Sequence, residues 1–257
     1  VGLLRKTLLA VVAASWFLGS PAAQQRPLPE RDALFARTTG NLERSQSQQN
    51  AYAYRERRRV LHTNPFGRLG SGDGVEVFQV TPHADGVVTR QLIERDGMPV
   101  KSVEVERSTP RPRHSRRSVV ADTAAALELE VDHRETLNGR DIVVITFGPR
   151  PNVKPETRQG RLARLFSGRI YVDEADAEVL RVEATAIDDI TYGLGLVARL
   201  GKGATVTLVR ERVDRDAWLP TSIRIVGDGR AMLLRKLRVD HLLEWFAYTR
   251  VLEGKSG

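Results

Sequence analysis

Residues 127–147 read LELEVDHRETLNGRDIVVITF, the most informative stretch of the chain. Leu127, Leu129 and Val131 alternate with Glu128, Glu130 and Asp132. That period of two puts apolar side chains on one face of a strand and charges on the other. Asn138-Gly139 then supplies the two residues that a type I′ turn needs at positive φ. The chain resumes with a β-branched run, Ile142-Val143-Val144-Ile145. Two such runs around Asn-Gly predict an antiparallel hairpin. In its second strand Ile142, Val144 and Thr146 face one way and Val143, Ile145 and Phe147 the other. Both faces must therefore meet apolar surroundings.

The same rhythm extends in both directions. Towards the C-terminus, residues 168–188 predict two strands around Asp-Glu-Ala-Asp, and residues 204–227 a hairpin turning at Asp214–Asp216. Residues 231–252 predict one long bent strand or two. Towards the N-terminus, short alternating runs at 51–60, 75–80, 87–94 and 100–106 are separated by GSGDG (70–74), HADG (83–86) and RDGMP (95–99). These connectors carry the turn chemistry of hairpins. Residues 30–49 predict a surface helix that starts after Pro29, with Glu30 and Asp32 at its positive end and a narrow stripe of Ala33, Leu34, Phe35 and Leu42. Residues 108–117, with two prolines and four arginines, read as an exposed loop. The Ala-rich stretch from Ser118 predicts a short mid-chain helix, and residues 161–166 a helical turn. About eleven antiparallel strands with few helices point to a mainly β fold, most economically a barrel or half-barrel.

Composition narrows the function. The 257 residues include 40 Lys+Arg, 32 Asp+Glu and no Cys. A chain without Cys has no disulfide framework, thiolate metal site, Cys nucleophile or lipid-modified N-terminal Cys. Residues 1–23, VGLLRKTLLAVVAASWFLGSPAA, have the three-part layout of a signal peptide: Arg5-Lys6, an uncharged apolar run, then small residues. An uncleaved anchor is the alternative reading. The expectation is an exported chain, periplasmic or extracellular, with residues 24–257 as a single, monomeric domain. The net charge of +8 is unevenly placed. Arg5 and Lys6 leave with the signal peptide, and Arg107, Arg111, Arg113, Arg116 and Arg117 lie in a stretch without acids. The other 40 − 2 − 5 = 33 basic residues nearly balance the 32 acidic ones.

Motifs of catalysis are missing. There is no G-x-S-x-G, S-x-x-K or H-E-x-x-H, and the five histidines stand apart. Gly201-Lys202-Gly203 fails the phosphate-loop pattern, because Gly203 stands where Ser or Thr would ligate Mg²⁺. It reads as a turn. Asp173, Glu174 and Asp176 lack the spacing of a calcium loop and also read as a turn.

The stretches 134–151 (RETLNGRDIVVITFGPRP), 168–184 (GRIYVDEADAEVLRVEA) and 215–229 (RDAWLPTSIRIVGDG) resemble the periplasmic lipoprotein-carrier superfamily. That superfamily includes LolA-like carriers, LolB-like acceptors and the lipid-sensing domain of RseB-like regulators. The likeness is greatest to the proteins called outer-membrane lipoprotein-sorting proteins. It rests on a Gly-aromatic-Asp hairpin and a Trp-Leu-Pro strand start. The resemblance implies an unclosed antiparallel β-barrel with an N-terminal helix and a short mid-chain helix over its concave face. It also implies an apolar cavity for the acyl chains of lipid or lipoprotein, with no enzyme activity and no cofactor. Strand positions that could line such a cavity are Val144, Val182, Leu219, Ile223 and Ile225; the orientation of the strand carrying Val182 is open. Two other functions stay in view. One is an envelope interaction module that docks to a membrane protein complex through Arg107, Arg111, Arg113, Arg116 and Arg117. The other is a secreted hydrolase using carboxylates brought together by folding. Nucleic acid is disfavoured, because the basic stretch has no aromatic residues for base stacking.

Overall fold

The computed structural model describes residues 26–64, 67–68, 74–101, 105–108, 114–192, 198–231 and 235–251. The signal-peptide reading of residues 1–23 lies outside them. The described residues open with helix α1 (Arg31–Gln48), followed by a short 3₁₀ turn. Strands β1 (Tyr52–Asn64), β2 (Gly67–Arg68), β3 (Gly74–Pro82), β4 (Val88–Arg95), β5 (Met98–Pro99) and β6 (Val105–Ser108) come next. Helix α2 (His114–Ala125) leads into β7 (Leu127–Leu137) and β8 (Arg140–Pro149). After the six-residue α3 (Arg158–Ala163) come β9 (Phe166–Asp173), β10 (Val179–Ala186), β11 (Ile190–Tyr192) and β12 (Ala198–Leu200). The chain closes with β13 (Thr205–Asp214), β14 (Ala217–Ala231) and β15 (Arg235–Arg250).

Among the described residues all the strands belong to one antiparallel sheet. Its main path runs β5–β4–β3–β1–β15–β14–β13–β10–β9–β8–β7. β2 joins β1, β6 joins β4, and β12 pairs with both β11 and β14. At one end β7 pairs with β8 alone, and at the other β5 and β6 pair with β4. The sheet is therefore open, as expected of an unclosed barrel. The first and last described strands, β1 and β15, are neighbours within the sheet.

The Asn-Gly hairpin forms as the sequence predicts. Asn138 and Gly139 take φ of 51° and 76°, and Leu137 pairs with Arg140. The Asp-Glu-Ala-Asp turn is tied down by charge, since Arg140 donates to both Asp173 and Asp176. Gly201–Gly203 is likewise a turn, with Gly203 at φ 87° and the Lys202 N–H donating to Asp189.

Helix α1 begins where the Glu30 carboxylate accepts hydrogen bonds from the N–H groups of Asp32 (3.0 Å) and Ala33 (2.6 Å). That satisfies donors the helix itself leaves open. Its inward stripe contains Leu34, Thr38 and Ser45, one side of a 3.6-residue period. Leu34 is 2 % exposed and packs with Val143, Ile145, Val172 and Val179, so α1 lies on one face of β8–β10, and it also reaches β14. Asn41 fixes the helix by donating to the carbonyls of Asp176 (2.9 Å) and Ala177 (3.1 Å).

The basic stretch differs from the expected loop. Residues 105–108 form β6 against β4, and the helix starts at His114. Arg107 is therefore an exposed strand residue paired with Thr89, while Arg116 and Arg117 fall inside α2. Arg111 and Arg113 lie outside the described residues. Pro110 and Pro112 hinder a helix only up to their own positions. Beyond them, the Ala-rich run to Ala126 carries helix back to His114. α2 touches α1, α3 and β7. The segment containing it runs from β6 at one free edge of the sheet to β7 at the other.

Candidate functional site

Cross-strand partners in an antiparallel sheet point to the same side. Register therefore traces the rows of the helix-bearing face. One row runs Val131–Ile145–Ile170–Val182–Leu208–Ile223–Leu243–Arg58 through β7, β8, β9, β10, β13, β14, β15 and β1. The next row includes Gly168, Ala184, Val206, Ile225 and His241. The first row is aliphatic across seven strands, becomes cationic at Arg58 and continues to Glu76 on β3.

Cover along these rows is uneven. At the β7–β10 end, Leu34, Phe35 and Leu42 of α1 seal Val143 and Ile145. Near the other end of β10, Ala186, Ile190, Leu200 and Ala204 pack with Leu162 and Leu165. Beyond the middle, Phe78, Val80 and Leu92 form a further buried cluster on β3 and β4. Between these clusters Ala184, Val206, Leu208, Ile223 and Leu243 are only partly buried. This is an apolar strip across β10, β13, β14 and β15 whose side chains keep access to solvent.

The structure brings together three of the five cavity residues expected from the sequence. Ile223 is in the middle of the strip. Val182 and Ile225 border it, where each also touches a neighbouring core cluster. Val182 and Ala184, two residues apart, both face it. Val144 is fully buried on the opposite face, where its partners are His133 and Tyr171. Leu219 is fully buried with Tyr52 and Ala217. Irregular register between Val209 and Arg210 separates it from the regular rows.

Beside the strip stands a polar cluster that the sequence reading missed. Glu56, 3 % exposed, shares the helix-bearing face with Arg58 two residues on. Its carboxylate accepts from Arg58 Nε (2.5 Å), Arg90 Nη2 (3.3 Å) and Trp245 Nε1 (3.0 Å). Burial alone would raise the Glu56 carboxyl. The hydrogen bond and charge of Arg58, the charge of Arg90 and the indole N–H outweigh it and hold the group below the usual carboxylate range. Arg58 also lies over the Phe78 ring at 4.7 Å. Arg90 Nη1 reaches the exposed Glu106 at 3.4 Å. Arg90 Nε is buried and has no hydrogen-bond partner among the described residues. The cluster comes from β1, β4 and β15, so no local spacing reveals it. The one available signal was a lone acid inside the run Arg55-Glu56-Arg57-Arg58-Arg59.

The other buried carboxylates are also ion-paired. Asp173 pairs with Arg140, and Glu178 with Arg210 at 3.3 Å. Burial raises the Glu178 carboxyl more than Arg210 lowers it, and burial lowers the Arg210 guanidinium. Among the described residues no group of three His, Asp or Glu side chains is placed to hold a metal ion. The opposite face is largely polar. Two grooves border the strands of the sheet, of about 430 Å³ beside Arg57, Glu211, Glu244 and Trp245, and of about 420 Å³ beside Arg169, Glu183, Ala184 and Val206.

No family profile and no curated protein matches the sequence. Solved structures do. A DUF1329 family protein from Desulfovibrio piger is 12 % identical, with 86 % of this chain and 94 % of that one covered at a TM-score of 0.36. A putative outer-membrane lipoprotein-sorting protein domain from Vibrio parahaemolyticus is 11 % identical, with 85 % and 94 % covered at 0.37. A LolA superfamily protein from Nitrosomonas europaea is 12 % identical, with 80 % and 93 % covered at 0.31. At these identities and scores the likeness concerns the layout of the fold and says nothing of function.

Proposed function

We propose that this chain is a non-enzymatic binding protein of the cell envelope that holds an acyl chain of lipid or lipoprotein. The observation that carries the reading is the strip of Ala184, Val206, Leu208, Ile223 and Leu243. It is a continuous aliphatic surface on the helix-bearing face, left partly open between sealed clusters. An interior patch of this kind gains from covering by another apolar body, at about 0.8 kcal/mol per buried CH₂. A signal-peptide-like N-terminus fits an exported carrier or sensor. The test is mass spectrometry of an organic extract of the purified protein, together with uptake of a fluorescent acyl probe. Extracted lipid and saturable uptake are expected. A protein that yields no lipid and takes up no probe would overturn the reading.

A further inference from the structure

We infer that the bound molecule is a single-chain acyl lipid with an anionic head, seated with its chain along the strip and its head at Arg58 and Arg90. The inference rests on the acyl-binding reading above. It begins with the row Val182–Leu208–Ile223–Leu243–Arg58, in which each residue is the direct cross-strand partner of the next. The row is apolar for four strands and then cationic. From Val182 to Leu243 there are three strand spacings, about 14 Å of sheet. One leaflet of acyl chains is about 15 Å deep, half the hydrocarbon thickness of a bilayer. The aliphatic part of the row thus matches one extended chain, and Arg58 stands where that chain would end.

Charge selects the head. The cluster joins two guanidiniums to one buried carboxylate, leaving the inner group with a single positive charge. Glu106, which touches Arg90 from outside, is 60 % exposed and screened by solvent. Glu76, the cross-strand partner of Arg58, is engaged by Arg95 at 3.0 Å. The carboxylate is hidden, with its side chain 4 % exposed, whereas the Arg58 and Arg90 side chains are 32 % and 29 % exposed. An incoming head therefore meets the cations before the buried Glu56, and displaces the exposed Glu106 from Arg90. Glu56 orients both guanidiniums before any ligand arrives, and Phe78 supports one of them from beneath. The buried, unpartnered Nε of Arg90 is a further donor in the same place.

The test compares two probes with the same chain, dodecanoate and 1-dodecanol, by titration at pH 8 and low salt. Charge-assisted hydrogen bonds should make dodecanoate bind about tenfold more tightly. Glu56→Gln, which removes the counter-charge, should widen that preference. The neutral variant Glu56→Gln/Arg58→Gln/Arg90→Gln should abolish it while still binding dodecanol. Equal affinity of the native protein for the two probes would overturn the inference and leave the acyl-binding reading standing. So would a preference that survives in the neutral variant. Failure of both probes to bind would remove both proposals. The native comparison needs no variant, so poor folding of the substituted proteins leaves the test intact.

Discussion

A carboxylate placed on the apolar strip should block an acyl chain while the sheet stays folded. Leu208 is the position to use, since it lies between Val182 and Ile223 in the row and is only partly buried. In Leu208→Asp the new charge remains hydrated in the free protein, so stability should fall by about 1 kcal/mol, the ordinary effect of a point substitution. Binding should suffer more. A chain lying along three strand spacings loses contact over about one of them, since it cannot cover the carboxylate without dehydrating it. For a twelve-carbon chain that is roughly four CH₂ groups, or about 3 kcal/mol at 0.8 kcal/mol each. Dissociation constants should rise roughly 200-fold. Thr207→Asp is the control, because its partners Glu183 and Arg224 lie on the other face. Titration with dodecanol measures binding and urea denaturation measures stability. Unchanged binding in Leu208→Asp, or an equal loss in Thr207→Asp, would refute the assignment of faces.

Other substitutions probe the frame. Leu34→Ala should cost about 2–5 kcal/mol by opening a cavity under α1, read as a lower urea midpoint with an unchanged slope. Arg210→Met should cost about 3–5 kcal/mol by leaving Glu178 buried and unpaired. Adding Glu178→Leu should recover most of that loss, and a double variant as unstable as the summed singles would contradict this. Gly168→Ala should prevent folding or shift the β9–β10 register, because a Cβ there overlaps the Glu183 carbonyl oxygen; circular dichroism decides it. On acidification, Glu174 and Asp240 are among the carboxyls that lose a stabilising contribution. Hydrogen bonds from Arg134 and from Arg224 respectively hold their carboxyls low. A carboxyl depressed in the folded state stabilises above its unfolded pKa, and that contribution is lost as pH falls through the folded one. Thermal midpoints should hold from neutral pH to about pH 5 and drop below it.

How far the sequence reaches depends on the range of the interactions concerned. The hairpin at Asn138-Gly139 needs only its own residues, and so does the Glu30 cap of α1; both are readable. Period-two alternation puts Ile223 and Ile225 on one face, and the structure puts that face under the helices. Val144 lies on the other face, and a strand apolar on both sides gives no local clue to which side the helices take. Leu219 joins the Tyr52 cluster because an irregular register breaks the alternation, and one strand alone does not show that. The Glu56 cluster needs β1, β4 and β15 side by side. Its members Glu56 and Trp245 are 189 residues apart.

The central pairing of β1 with β15 also sets when this protein becomes competent. Arg250 binds the hydroxyl of Tyr52 across 198 residues of chain. Contacts at such separation form late, because the entropy of closing the loop opposes them until many others are made. Leu243 and the neighbours of Arg58 come together only after the last strand has arrived. An N-terminal portion ending before β15 has Ala184, Val206, Leu208 and Ile223 but lacks Leu243 and the β15 neighbours of Arg58. A chain still being made would have its hairpins before the row from Leu243 to Arg58 is complete, so an intact row reports that β15 has docked between β14 and β1.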